Sequence, residues 1–151
     1  MRETKQLKPL GTKSDLGLLV LRGEALLLLF VYGWRKFVAL LLVVSGRQAW
    51  RSWGFAALIA KVGFPASVPL AVFVCLCESI GALFIVLGFF TRVSAVLTAL
   101  SMAGALYFSL RVGEASWHLA AVYGLSFVAL GLSGPGKFSI DHALKSWRKS
   151  S

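Results

Sequence analysis

The apolar residues of this chain fall into long runs bounded by charge, glycine or proline. A helix needs about 20 apolar residues to cross the hydrocarbon core of a bilayer, and four runs approach that length. They cover residues 16–42, 69–90, 93–110 and 117–132, the first interrupted by Trp34, Arg35 and Lys36 and the last short. The pattern predicts an all-α integral membrane four-helix bundle.

Between the first two runs, "GRQAWRSWGFAALIAKVGFPASVP" is too polar to span yet carries Trp50, Trp53, Phe55 and Phe64. Aromatic residues among scattered cations predict a segment lying in the membrane interface. Only Thr91 and Arg92 separate the second and third runs, which makes those helices antiparallel neighbours. Small residues recur at every fourth position as Ala95, Ala99 and Ala103 on the third run and as Ala120 and Gly124 on the fourth. That spacing lets transmembrane helices approach closely.

Composition agrees with a membrane domain. The 151 residues are 58% hydrophobic, with a mean hydropathy of +0.78, more than a soluble domain of one-core size requires. Sixteen Lys and Arg stand against six acidic residues, and half of the excess lies in two tails, 1–15 and 134–151. Cations flanking apolar spans suit anionic lipid headgroups and argue against nucleic acid, which calls for a stripe of cations interleaved with aromatics. The apolar run after the basic start is too long for a signal-peptide core, so residues 1–15 read as a retained tail. Both tails and Arg92 fall on one side of the membrane, and Arg47, Arg51, Lys61 and Arg111 on the other. The surplus of cations on the first side places both termini in the cytoplasm and the chain in the plasma membrane as a multi-pass protein.

Against this background Glu78 is the residue to explain. On a helix turning about 100° per residue, Ala71, Cys75, Ala82 and Ile85 share its face, while Phe73, Leu76, Ile80, Leu83 and Leu87 lie opposite. The small-residue face should meet other helices, and a carboxylate there has to be paired, hydrogen-bonded or protonated. Cys75 and Cys77 lie about 200° apart, so they neither bridge nor share a metal and read as packing residues.

The first run carries two charged lines. Arg22, Gly33 and Lys36 fall within about 40° of one, with Glu24 and Arg35 roughly opposite. Arg22 either snorkels to the near membrane surface or turns inward to pair with Glu78 or a ligand's anionic group. Glu24 is either a structural partner for a cation or the lining of a polar cavity. Arg35 and Lys36 are expected to mark the outer boundary of the first span. His118, next to Trp117 at the start of the fourth run, is expected to be a hydrogen-bonded interface residue.

Read in order, these residues form a recognisable set. Arg22, Phe30, Gly33 and Lys36 in "RGEALLLLFVYGWRK", then Gly63, Phe64 and Pro65, then "ESIGALFIVLGFFTR", then "GPGKFSID" at Gly134 to Asp141, resemble the DoxX family of four-span membrane proteins. The resemblance covers about residues 16–141. It implies a small membrane-embedded subunit, associated in some members with thiosulfate:quinone or terminal quinol oxidation. Two positions depart from the family: Trp117 and His118 stand where relatives often have an acidic residue, and Glu24 where a small apolar one is usual.

In "GPGKFSID", Pro135 and the flanking glycines stop the fourth helix. Ser139 or Asp141 then caps a short helix, "HALKSWRK", whose basic face and Trp147 suit the membrane surface.

No nucleophile with a nearby base, phosphate-cradling loop or metal-ligand cluster stands in the sequence, and two facing histidines for a haem are missing. With the DoxX resemblance, this implies an accessory subunit of a quinone-linked redox complex, without a cofactor of its own, with quinone handled by a partner or by the bundle. Arg22 and Glu78 are the candidate polar pair, and Glu24, Lys36 and His118 the further intramembrane polar residues. The alternatives are an independent carrier or channel, or a purely structural subunit.

Overall fold

Apolar runs removed from water must satisfy their backbone groups internally, and each run here becomes a helix. The computed structural model describes residues 12–150, so most of the expected N-terminal tail, residues 1–11, lies outside the described residues. All regular structure among the described residues is helical.

The first span is a single rod of α1 (Thr12–Leu28), a π-helical turn (Leu29–Gly33) and α2 (Trp34–Val44). Trp34, Arg35 and Lys36 do not interrupt the helix, which runs on to Val44. The apolar stretch Ser14–Val44 is 31 residues long, about 46 Å at 1.5 Å per residue. This exceeds a hydrocarbon core of about 30 Å, so the rod tilts or projects from it.

A short 3₁₀ turn (Trp50–Ser52) and α3 (Gly54–Lys61) follow. The expected interfacial segment is packed more deeply than its composition suggests. Trp53, Ala56 and Ile59 are buried with Leu40 and Val43 of α2 and with Ala71 and Cys75 of the second span, whereas Trp50 stays exposed.

The second span is α4 (Ser67–Leu76), a second π-turn (Cys77–Gly81) and α5 (Ala82–Leu87). The third is α6 (Thr91–Val112), and the fourth is α7 (Trp117–Ser133), 17 residues long. Among the described residues three helices are long and apolar enough to cross a bilayer, and α7 is apolar but shorter. The helix α8 (Ile140–Ser150) closes the described chain.

The main core lies between the spans and contains Ala25 and Leu28, Ala82 and Ile85, Ala95 and Met102, Phe127 and Leu130. The third and fourth spans pack closely through part of the small-residue pattern expected there, since Ala103 is exposed. Ala95 is fully buried, and a Cβ on Gly124 or Gly131 would already touch Met102 or Val96.

At one end of the bundle, polar contacts tie all the spans together. Arg22 donates from Nε to the Ile85 carbonyl at 2.9 Å and from Nη2 to that of Val86 at 2.7 Å. From Nη1 it donates to the carbonyls of Phe138 at 2.6 Å and Pro135 at 3.4 Å. The last carbonyls of a helix lack intrahelical donors and carry partial negative charge, so a guanidinium satisfies both needs. Gly88 makes room for it. Its φ is +70°, and a Cβ there would stand 2.6 Å from Nη2 of Arg22.

Asp141 does the converse for α6. Its carboxylate accepts the N–H groups of Phe90 at 2.9 Å and Thr91 at 3.0 Å, and the Thr91 hydroxyl at 3.0 Å. Asp15 accepts the Lys137 N–H at 3.1 Å, so the start of the first span also meets the segment after the fourth.

Candidate functional site

The two π-turns face each other. A π-turn inserts one residue into a helix and widens it locally, and here both insertions fall where the first and second spans come closest. Gly33 lies directly against the backbone of Glu78: a Cβ at residue 33 would run into the Glu78 carbonyl oxygen and lie 2.9 Å from its carbon. Hydroxyls supply donors around the second turn. Ser79 Oγ donates to the Cys75 carbonyl at 2.5 Å, and Thr98 Oγ1 of α6 donates to that of Cys77 at 3.2 Å.

This backbone arrangement brings two side chains together. Lys36 Nζ lies 2.5 Å from Glu78 Oε2. Glu78 is only 1% exposed, and a carboxylate at that depth requires such a partner. The ammonium also sits 4.7 Å from the centroid of the Phe55 ring, a cation–π contact contributed by α3. Cys75 Sγ donates to the Lys36 carbonyl at 3.7 Å.

Lys36 and Glu78 line a cavity of about 290 Å³. Its other walls are mainly apolar and aromatic: Leu28 and Tyr32 of the first span, Phe55 and Leu58 of α3, Phe73 of the second span, Met102 and Phe108 of the third, and Tyr123 of the fourth. Glu114 and Ser116, from the connection between α6 and α7, complete the lining. An apolar chamber with a few convergent polar groups is the usual form of a small-molecule site.

The DoxX family model matches residues 17–111, which is more than half of the chain and takes in the first three spans, both π-turns and both members of the ion pair. The chain belongs to the DoxX family. No curated protein and no solved structure matches it.

Within this DoxX bundle, the face predicted for Glu78 is the buried one. Ala71, Cys75, Ala82 and Ile85 are each 0% exposed, whereas Leu76, Ile80, Leu83 and Leu87 are exposed; Phe73, expected opposite Glu78, is half-buried and lines the cavity with it. The candidate pair Arg22 and Glu78 is not formed. Arg22 turns inward, but onto backbone carbonyls, and Glu78 takes Lys36.

The π-turn accounts for the change of partner. On a straight α-helix Arg22 and Lys36 share a line, but one inserted residue between them rotates Lys36 by about 100°. Lys36 then joins the side of the span that carries Leu28 and Tyr32, and all three line the cavity.

Glu24 lies outside that lining. Its Oε2 is shielded and has no hydrogen-bond partner among the described residues. His118 is exposed in the first turn of α7, edge-on to Trp117 with ring centroids 6.1 Å apart, and does not line the cavity. Sequence reasoning did not assign Phe55 or Tyr123 to the site. Both come from elements whose approach to Lys36 and Glu78 is decided by tertiary packing.

Proposed function

We propose that this DoxX protein is an accessory subunit of a quinone-linked membrane redox complex. On this reading its bundle seats the polar head of a lipid-soluble molecule, a quinone, against Lys36 and Glu78. The observation that carries the proposal is the ion pair lining a mainly apolar and aromatic cavity.

The pair is neutral as a whole, which suits a neutral ligand, and the ammonium has N–H groups beyond the one directed at Glu78 to offer a carbonyl oxygen. Aromatic walls suit a planar ring. Ligand pockets commonly hold about 300–1,000 Å³, so a cavity of about 290 Å³ accommodates a ring while an isoprenoid tail remains among the lipids. The electrons come from a partner subunit. The distribution of Lys and Arg along the chain favours the plasma membrane with both termini cytoplasmic.

The test pairs isolation with binding. Protein extracted in mild detergent is expected to bring redox subunits with it, identified by mass spectrometry. In nanodiscs it should bind a short-tailed quinone, and Lys36→Met and the cavity-filling Ala120→Trp should each weaken that binding at least tenfold. Quinone binding that ignores both substitutions would overturn the site. A chain that moves protons or solute across liposomes with no partner would instead be a carrier.

A further inference from the structure

Some of the apolar residues that line the cavity are also exposed on the outside of the bundle, and a side chain that meets both belongs to the rim of an opening. Tyr32 of the first span, Leu58 of α3 and Leu119 of α7 are 40%, 46% and 41% exposed, and Leu100 of α6 is exposed as well. We propose that the cavity opens sideways into the bilayer between α3 and α7. Through this mouth enters a lipophile with an apolar chain, whose uncharged polar head travels on to Lys36 and Glu78. The proposal rests on the reading of the cavity as a ligand site and adds the route and the form of the ligand.

The course of the first span favours an opening on this side. Before its π-turn the span packs on the fourth, through α1 and α7, whereas beyond the turn α2 packs on α4. Tyr32 stands in the π-turn, where the rod passes from one neighbour to the other, and α3 packs on α4 as well. The side toward α6, to which Leu100 belongs, is bridged. Phe64, just before α4, lines the cavity and meets Tyr107 of α6 edge-on with ring centroids 5.2 Å apart.

The mouth lies in one half of the membrane. Leu119 is in the first turn of α7, next to the connection from α6, where the exposed Glu114 and the half-buried Ser116 reach the cavity. Arg22 and Asp141 tie the spans together at the opposite end.

The apolar rim selects what passes. Lipid tails are as apolar as leucine, so a chain exchanges lipid for Leu58 and Leu119 with little change in free energy. The favourable step is hydrogen bonding of the head to the ion pair in a site of low dielectric constant. A charged solute would have to shed its hydration at the rim.

Glu78 and Met102 report entry. Both line the cavity and are only 1% and 4% exposed, so a reagent dissolved in lipid reaches them from within the cavity. The full chain in nanodiscs is irradiated with an alkyl diazirine dissolved in the bilayer or with a charged, water-soluble diazirine, and labelled residues are mapped by mass spectrometry. The alkyl reagent is expected to label Glu78 and Met102, and the charged one at least tenfold less. Leu58→Trp combined with Leu119→Trp should lower that interior labelling at least tenfold and leave the lipid-facing Leu125 labelled as before, whereas Leu100→Trp should change neither. Phe127, fully buried and outside the lining, stays unlabelled in a folded chain, and either single substitution carries the comparison if the double variant unfolds. Interior labelling that is absent with the alkyl reagent, stronger with the charged one, unaffected by narrowing the mouth or lost in Leu100→Trp would overturn the proposal. Quinone binding that fails while the alkyl reagent still enters would instead sink the quinone reading and leave the mouth standing.

Discussion

Lys36 and Glu78 lie on different spans, 42 residues apart in sequence, and their charged atoms meet at 2.5 Å. Glu78 lies within one π-turn and Lys36 just after the other, and the two turns touch where Gly33 admits the backbone of Glu78. The first prediction follows from this pairing. Removing one partner strands the other group, so Lys36→Met and Glu78→Gln should each lower stability, Lys36→Met the more because it leaves a carboxyl group without its partner at 1% exposure. A loss of about 3 kcal/mol is expected for Lys36→Met, with much of it restored when both substitutions are combined. Thermal unfolding in one detergent, analysed as a double-mutant cycle, measures the coupling, and additive losses would mean that the residues act independently.

The close approach at Gly33 leads to a prediction about steric fit. Gly33→Ala drives a methyl group into the Glu78 carbonyl and should destabilise the bundle by about 2–3 kcal/mol. Gly23→Ala and Gly104→Ala place their methyl groups in open space and should be neutral or slightly stabilising, because alanine favours a helix over glycine by about 1 kcal/mol. Melting temperatures of the three variants give the comparison.

Arg22 uses the forked geometry of its guanidinium to reach carbonyls from two separate segments. A lysine ammonium is a point donor and cannot span them. Arg22→Lys is therefore expected to recover little of the stability lost in Arg22→Met, a loss of about 3 kcal/mol. Limited proteolysis should cut the segment around Pro135 faster in both variants. Full recovery by lysine would show that charge alone matters at this position.

Asp141 is an N-cap supplied from a distant part of the chain, 50 residues beyond Thr91, the first residue of the helix it caps. Asp141→Ala should cost about 1 kcal/mol and Asp141→Asn less, since asparagine also caps. Hydrogen exchange supplies the local readout. The Phe90 and Thr91 amides should lose protection in Asp141→Ala while those in the middle of α6 keep theirs.

Cys75 and Cys77 are both buried and free. Neither thiol should react with maleimide in the folded protein, and both should react after denaturation in SDS. Cys75→Ala combined with Cys77→Ala should leave quinone binding in place, which separates the packing role of these residues from any redox role.

The burial of Glu78 was legible because periodicity near it survives to the structure: one face of small residues on a helix is buried whichever helices cover it. The partner of Glu78 was not legible. Pairing Arg22 with Glu78 assumed a straight first span, and the π-turn over Leu29–Gly33 removes that assumption. Apolar residues such as Leu29, Phe30 and Val31 carry no local signal for an inserted residue, since the insertion is stabilised by contact with the second span.

The interfacial segment shows the same division. Its polarity and aromatic content kept it from being a span, but Trp53 is 2% exposed and Phe55 covers Lys36. Nothing in the order of residues distinguishes those rings from the exposed Trp50.

The sequence by itself determined the all-helical membrane bundle, because the length and hydropathy of a run suffice where the solvent is lipid and backbone groups must bond within the helix. It also determined which face of the second span is inward. Tertiary structure alone decided that Lys36 holds Glu78, that Arg22 and Asp141 satisfy the helix ends around Gly88, and that aromatic rings from separate elements enclose one cavity. Those outcomes depend on where helices cross and how a π-turn rotates a side chain, and both are set by contacts between residues far apart in the chain.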